Sequence, residues 1–143
     1  WRVAIKPGRP VALAVLKGAR ADGEAAFTGL PGNPVAAFVT FAKVVRPIIL
    51  QLAGALPDDP LPFPVRATFS YRKKAGRREF VRVSLKRGGD GALEAVKYPQ
   101  DGAGVISSLT ATDGLLELPE ELTALEPGMF AGFSSYAAFM GQV

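Results

Sequence analysis

The sequence predicts an α/β segment followed by a small all-β barrel. Residues 34–54 repeat apolar side chains at helical spacing, whereas the residues after 64 alternate as strands do. Between them, residues 55–64 contain four prolines and two aspartates, a composition typical of a linker. The predicted parts are an α/β portion at 1–54, a Pro-rich linker at 55–63 and a β-barrel domain at 64–143.

Composition limits the chemistry available to the chain. Its 143 residues suffice for one ordinary domain or two small ones, and they include no cysteine and no histidine. Disulfides, thiolate nucleophiles, histidine bases and His/Cys metal sites within this chain are therefore excluded. The net charge of +4 fits either ordinary solubility or an anionic ligand, and the spread of the basic residues along the chain favours solubility.

The sequence shows no sign of a membrane span or of secretion. Lys43, Arg46 and Pro47 interrupt the longest apolar stretches, so no apolar run reaches the roughly 18 residues that span a bilayer. No secretory signal is visible, and a cysteine-free chain is compatible with the cytoplasm, where we expect it to act. The sequence starts at Trp1 without an initiator methionine, and we expect a fragment of a longer protein.

Three short strands are predicted before the helix. Charged and apolar side chains alternate over residues 2–6, which predicts the first strand. The apolar segment Pro10–Leu16 predicts a buried second strand, and Glu24–Thr28 predicts a third.

A long helix should follow these strands. Asn33 is a good N-cap residue and Pro34 suits the first helical position. Pro47 should kink the helix by removing one backbone hydrogen bond, and Gly54 should end it. One apolar stripe is expected on this helix: Phe38, Phe41, Ala42, Val45, Ile48, Ile49 and Leu52.

The second half is predicted to form about five strands, the number typical of a small barrel or sandwich. Residues 79–87 alternate between apolar and polar side chains, with Arg82 on the polar face. Gly88–Gly91 predicts a hairpin turn. The other predicted elements are strands at Val65–Tyr71, Ala92–Lys97, Gly114–Leu118 and Met129–Tyr136, and a helical turn within Gly104–Thr110.

Two segments are candidates for anion binding. Gly29–Pro34 ends a strand and opens a helix whose N-terminal N–H groups attract anions, although an ordinary capped helix explains the same pattern. Gly32 would let a ligand approach the backbone. Arg2 and Lys6 share one face of the first strand at about 13 Å separation, and the next turn would bring Arg9 toward them. A solvated strand edge explains these charges equally well.

Other polar residues are less informative. The basic cluster of Lys73, Lys74, Arg77 and Arg78 is predicted to be a solvated hairpin tip, with nucleic-acid binding as the weaker alternative. Ser107 and Ser108 can donate to an oxyanion, although helix capping explains them as well. The carboxylates form no pair placed for acid–base catalysis.

Several stretches together resemble the C-terminal portion of the molybdopterin molybdenumtransferase family, which comprises the MoeA proteins and the corresponding domain of gephyrin. The most specific are Val-Ala-Ile-Lys-Pro-Gly-Arg-Pro at Val3–Pro10 and Gly-Leu-Pro-Gly-Asn-Pro-Val at Gly29–Val35. The remaining matches are Gly76–Phe80 with Arg82, Ser107–Leu109, Gly114–Leu115 and Leu118–Pro119. The resemblance runs in order over nearly the whole chain.

The resemblance implies a fold and an activity. Residues 1–54 would form the end of a molybdopterin-binding α/β domain, with strands and one long helix, and the C-terminal residues would form its β-barrel domain. The family inserts molybdenum from molybdate into adenylylated molybdopterin during molybdenum cofactor biosynthesis, and releases AMP with a divalent cation such as Mg²⁺. We expect the Mg²⁺ ligands outside this chain, so this part of the transferase should be inactive alone.

The resemblance also implies site residues. Arg2 and Lys6 match basic catalytic residues of the family, although a lysine is familiar at the position of Arg2. Arginine is a bidentate donor where lysine is a point charge. The residues assigned to substrate binding are Arg9, Pro31, Gly32, Asn33, Pro34 and the pair Ser107 and Ser108, and no metal ligand is expected within the chain.

The implied working form is a homodimer. The apolar faces of the strands and helix should be covered by a second copy or by the missing N-terminal portion, and the molybdopterin adenylyltransferase is a further expected partner. No membrane or nucleic-acid partner is expected. Two other interpretations stay open: a non-catalytic scaffold module of the same architecture, and a nucleic-acid-binding barrel.

Overall fold

The structure is a computed structural model, and it describes residues 3–17, 23–55 and 61–140. Ten strands and four short helices are present in these ranges. The strands are β1 Ile5–Lys6, β2 Ala12–Lys17, β3 Glu24–Gly29, β4 Phe63–Ala67, β5 Tyr71–Arg72, β6 Arg78–Arg87, β7 Leu93–Lys97, β8 Gly114–Leu118, β9 Ala124–Leu125 and β10 Phe130–Ser135. The helices are α1 Pro34–Thr40, α2 Arg46–Leu52, α3 Ser107–Thr110 and α4 Tyr136–Met140, and a π-helical turn at Phe41–Val45 joins α1 to α2.

Five strands close into the predicted barrel. Their order is β6-β7-β4-β10-β8, and β8 pairs back with β6. All neighbours are antiparallel except β4 and β7. The alternation along β6 turns Val81 and Val83 into the interior, where they pack with Val65, Leu116 and Phe133. Closure gives each of these five strands a neighbour on both sides, so that the strands surround the core.

The β2–β3 hairpin before the helix is largely exposed. β2 and β3 form an antiparallel hairpin with Ala12 opposite Gly29, and all six residues of β2 are exposed. The prediction of a buried strand at Pro10–Leu16 is therefore wrong in burial from Ala12 onward, although a strand is present and Val11 before it is buried. Its apolar composition indicates a surface that needs a cover, and its side chains stay exposed in the described part of the chain.

The long helix begins and ends where the sequence predicts. Asn33 is its N-cap in extended backbone, without a side-chain capping bond, and Gly54 ends it with φ of +75°. Pro47 has no N–H to donate to the Lys43 carbonyl. The backbone adjusts by the π-helical turn before it, where the Arg46 N–H donates to the Phe41 carbonyl.

One face of the helix packs against the outside of the barrel. Val39 and Ala42 contact Phe80, Leu115 and Phe139 in a second core. Phe41, Ile49 and Leu52 of the predicted stripe are exposed, because the buried face is offset from it. Residues 34–52 are long and apolar enough for a membrane span, so the expectation that no stretch of this length occurs is wrong by this test. The core helices of soluble proteins also pass it.

Small elements differ from the sequence prediction. The first strand is limited to Ile5–Lys6 and pairs in parallel with β6. The predicted strand Val65–Tyr71 is divided between β4 and β5. The predicted strand Met129–Tyr136 ends at Ser135 and continues as α4, whose Phe139 completes the second core.

Candidate anion-binding site

The Lys6–Arg9 segment lies against the long helix. Gly8 has φ of +111°, a conformation that side-chain-bearing residues rarely adopt. A β-carbon at Gly8 would lie 2.3 Å from Thr40 Oγ1, and the Thr40 hydroxyl donates to the Gly8 carbonyl at 3.3 Å. A glycine is therefore required here for backbone and helix to meet.

Lys6 is held by a buried carboxylate on β6. The side chain of Glu79 is 1% exposed, and the Lys6 ammonium lies 3.2 Å from its Oε2. Tyr71 donates to the same oxygen at 2.8 Å, and Arg77 donates to Oε1 at 2.7 Å. The parallel pairing of Lys6 with Glu79 creates this network, because the pair lies side by side on β1 and β6.

The network changes the acidity of its members. Burial alone would raise the pKa of Glu79, but hydrogen bonds from Tyr71, Arg77 and Lys6 outweigh it and lower that pKa below its ordinary value. Burial and the bond to Glu79 raise the pKa of the Tyr71 hydroxyl. The carboxylate is therefore ionised and the phenol neutral at pH 7, and half of the Lys6 side chain remains exposed to a ligand.

A cleft of about 330 Å³ opens beside Lys6. The Lys6–Pro10 segment, the helix entrance and the barrel all contribute to its wall. Its charged lining residues are Lys6, Arg9, Arg82 and Asp101, three cations against one carboxylate. The excess of positive charge suits an anionic ligand.

Arg82 organises the barrel side of this cleft. It is only 7% exposed, although the alternation of β6 placed it on the polar face. Its guanidinium donates to the carbonyls of Gln100 at 3.0 Å and Gly102 at 2.9 Å, and to the Ser108 hydroxyl at 2.6 Å. The loop after β7 therefore folds over Arg82 and buries it.

The two serines have different surroundings. Ser108 is fully buried, accepts from Arg82 and donates to the Val105 carbonyl. Ser107 is exposed, and its hydroxyl lies 3.4 Å from the Tyr98 hydroxyl. Ser107 is thus the serine whose hydroxyl a ligand can reach.

The helix entrance is partly occupied. Pro34 has no N–H, and the Val35 N–H donates to the Ala103 carbonyl at 3.1 Å. The Ala103 carbonyl therefore occupies the Val35 N–H, which would otherwise be available to an anion at the helix N-terminus. Pro31 and Asn33 line the cleft beside it.

The basic cluster at residues 73–78 is not uniformly solvated. Lys73 is buried, and its ammonium donates to the carbonyls of Lys74, Pro119, Glu120 and Leu122. Arg78 forms ion pairs with the carboxylates of Glu117 and Glu120. The prediction of a solvated hairpin tip is wrong for Lys73. These partners also leave the cluster without the continuous positive face that nucleic acid requires, so that alternative is not favoured.

The predicted site residues are brought together in part. Lys6, Arg9, Pro31 and Asn33 line one cleft. Gly32, Pro34, Ser107 and Ser108 are not among its lining residues, and Arg2 lies outside the described residues. Sequence reasoning missed Tyr71, Glu79 and Asp101, because their contacts join segments far apart in the chain. The stretch Gly76–Phe80 with Arg82, which resembles the family, contains Glu79 and is the sequence signal that could have indicated it.

Divalent metal ions have no evident site in the described ranges. No group of three or more histidine, cysteine, aspartate or glutamate side chains is clustered there. Mg²⁺ prefers carboxylate and water oxygens, so the described residues do not fit it.

Comparisons with known proteins identify the family. Residues 64–129 match the family model of the MoeA C-terminal region, domain IV. The molybdopterin molybdenumtransferase of Haemophilus influenzae is 34% identical over 122 residues, covering 85% of this chain and 29% of that protein. The chain belongs to the molybdopterin molybdenumtransferase family. It corresponds to the C-terminal portion of these proteins and spans less than a third of the curated relatives that it matches.

Two further relatives support this membership of the molybdopterin molybdenumtransferase family. The molybdopterin molybdenumtransferase 2 of Mycobacterium tuberculosis is 30% identical over 128 residues, covering 89% of this chain and 29% of that protein. A molybdenum cofactor biosynthesis protein from Pyrococcus furiosus, known from its solved structure, superposes with a TM-score of 0.68 at 26% identity. That superposition covers 94% of this chain and 44% of the other.

Proposed function

We propose that the chain is part of an enzyme that inserts molybdenum from molybdate into adenylylated molybdopterin, in molybdenum cofactor biosynthesis. The observation that carries the proposal is the cleft of about 330 Å³ with Lys6, Arg9 and Arg82 in its wall. It lies where the two segments most specific to the family meet the barrel. Relatives named molybdopterin molybdenumtransferase supply the reaction.

The charges of the cleft match those of the substrates. Molybdate is a dianion, and adenylylated molybdopterin carries phosphate groups. Lys6 is fixed by Glu79 and half exposed, so it can donate to an oxyanion without being reoriented. Arg82 acts as a positioning residue, because its donors hold the loop whose Asp101 and Ala103 line the cleft.

Several features of the complete enzyme are part of the proposal. Residues 1–54 would be the end of the molybdopterin-binding α/β domain, which continues in sequence absent from this chain. Mg²⁺ would be held by carboxylates from outside the described residues, as their own carboxylates form no suitable cluster. The chain alone would then be inactive, and the active form would be a cytoplasmic homodimer that receives its substrate from the molybdopterin adenylyltransferase.

Replacing Lys6 tests the proposal. In the longer protein that contains this chain, Lys6→Ala should lower molybdate-dependent cofactor formation by roughly 100-fold, the usual effect of losing one oxyanion donor. Lys86→Ala is the matched control, because Lys86 is a more exposed lysine, paired with Glu94 on the barrel. Wild-type activity in Lys6→Ala would remove the assignment, as would an equal loss in both variants.

A further inference from the structure

A second cleft also borders Lys6. Its volume is about 470 Å³, and it separates the N-terminal segment Val3–Arg9 from the turn before β6. The charged residues of its wall are Lys6, Arg9, Lys74 and Arg77. No carboxylate is among the described residues that line it. None of the sequence patterns predicted this grouping, which joins residues nearly 70 positions apart.

The backbone fixes both walls of this cleft. The Arg78 N–H donates to the Ala4 carbonyl at 2.8 Å, which extends the pairing of β1 with β6. The turn on the opposite wall is tied to the barrel, because the Gly76 N–H donates to the Glu120 carbonyl at 3.0 Å. Gly76 has φ of +81°, so a glycine is favoured at this turn. The four cations are therefore carried on anchored backbone.

The four cations are only partly neutralised. Glu79 behind the wall pairs with both Lys6 and Arg77, and its single negative charge is shared between them. Lys74 is exposed and forms no ion pair within the described part of the chain. Because like charges repel, four neighbouring cations raise the free energy of the empty cleft, and a bound polyanion relieves that repulsion.

The two clefts differ in the ligand group that they suit. The smaller one, assigned above to molybdate, includes Asp101 and the rings of Tyr71 and Phe80, so its lining is less positive than that of the larger cleft. The larger one offers guanidinium and ammonium donors with no lining acid, a combination that suits phosphate oxygens. Lys6 and Arg9 line both clefts, so one extended ligand can occupy the two together.

We infer that the cleft formed by Lys6, Arg9, Lys74 and Arg77 binds a pyrophosphate or phosphate-ester group. The identity of its natural ligand rests on the proposed function, in which the adenylylated substrate supplies such a group. Lys74 and Arg77 then determine affinity for the phosphate part of that substrate, beside the smaller cleft that is assigned to molybdate.

Binding of inorganic pyrophosphate to the 143-residue chain, measured by titration calorimetry at low salt, tests the inference. Lys74→Ala should weaken binding roughly fivefold, because one of four converging charges is lost at a surface site. Lys74→Glu should weaken it further. Lys86→Ala, which removes an exposed lysine far along β6, should leave the affinity unchanged.

Two results would overturn the inference. One is an affinity for pyrophosphate that is unchanged in both Lys74 variants, and the other is an equal loss in Lys74→Ala and Lys86→Ala. Circular dichroism of each variant checks folding, and among the described residues the Lys74 side chain forms no hydrogen bond or ion pair whose loss should disturb it. The assay contains no molybdate, so its outcome is independent of whether the longer protein transfers molybdenum.

Discussion

The barrel and the segment before it bury their apolar side chains to different degrees. Val65, Val83 and Leu116 are completely buried in the barrel, because the closed sheet surrounds them. In the β2–β3 hairpin, Leu16 is 52% exposed, and all six residues of β2 are exposed. The barrel therefore supplies its own stability, whereas the hairpin presents apolar surface to another element. The cationic clefts lie at the junction of these regions.

The largest expected effect is on stability, and it differs between the barrel and the hairpin. Leu116→Ala should lower the free energy of unfolding by about 3 kcal/mol, since it leaves a cavity in a closed core. The same substitution at Leu16 should cost less than about 0.5 kcal/mol, because the side chain is half exposed already. Urea unfolding of both variants gives the difference, and equal losses would show that the hairpin is covered in solution.

Glu79→Gln should have the next largest effect, because Glu79 joins the two regions. The variant removes a buried carboxylate from Lys6 and Arg77, and we expect a loss of about 2 kcal/mol at pH 7. The partners are partly exposed and can be rehydrated, which limits the cost.

The pH dependence of this loss distinguishes charge from packing. The folded-state pKa of Glu79 is lowered, so its contribution is present above the unfolded value near 4.5 and disappears as pH falls through the folded pKa. The difference between the wild-type protein and Glu79→Gln should therefore shrink below about pH 4.5. A difference that stays constant down to pH 2 would assign the loss to packing.

Substitutions of Ser107 and Ser108 should have the smallest effect on stability. They test how the barrel is arranged where it meets the N-terminal segment. Ser108→Ala should lower stability by about 1.5 kcal/mol, because the buried Arg82 loses a hydrogen-bond acceptor. Ser107→Ala should change stability by less than about 0.5 kcal/mol, since Ser107 is exposed. Thermal unfolding of the two variants checks this order, and the reverse order would contradict the assignment of Ser107 as the accessible hydroxyl.

Local sequence patterns predicted the helices and strands well where neighbouring residues alone determine the element. Alternation along β6 placed Val81 and Val83 in the barrel, and Gly54 ended the helix as expected, because both signals lie within a few residues. The domain boundaries at 1–54, 55–63 and 64–143 stay a prediction, and residues 56–60 of the linker lie outside the described ranges.

Features that depend on distant partners could not be predicted. The burial of Arg82 and Lys73 is due to carbonyl groups on loops 18 to 49 residues away, and no local pattern encodes such contacts. The apolar composition of β2 indicated that a cover is needed, but it gave no information on whether the chain supplies one. The roles of Arg2 and of the other predicted catalytic and binding residues stay predictions.

A titration of the ¹⁵N-labelled chain with molybdate tests the central claim, an oxyanion site at the junction of the two regions. Backbone amide shifts should concentrate at Lys6, Arg9, Asn33 and Ala103, the lining of the smaller cleft, with concentrations up to about 10 mM for weak binding. Amides of the barrel interior such as Leu116 should stay unchanged. Shifts confined to the barrel away from the junction, or none at the cleft, would contradict the account.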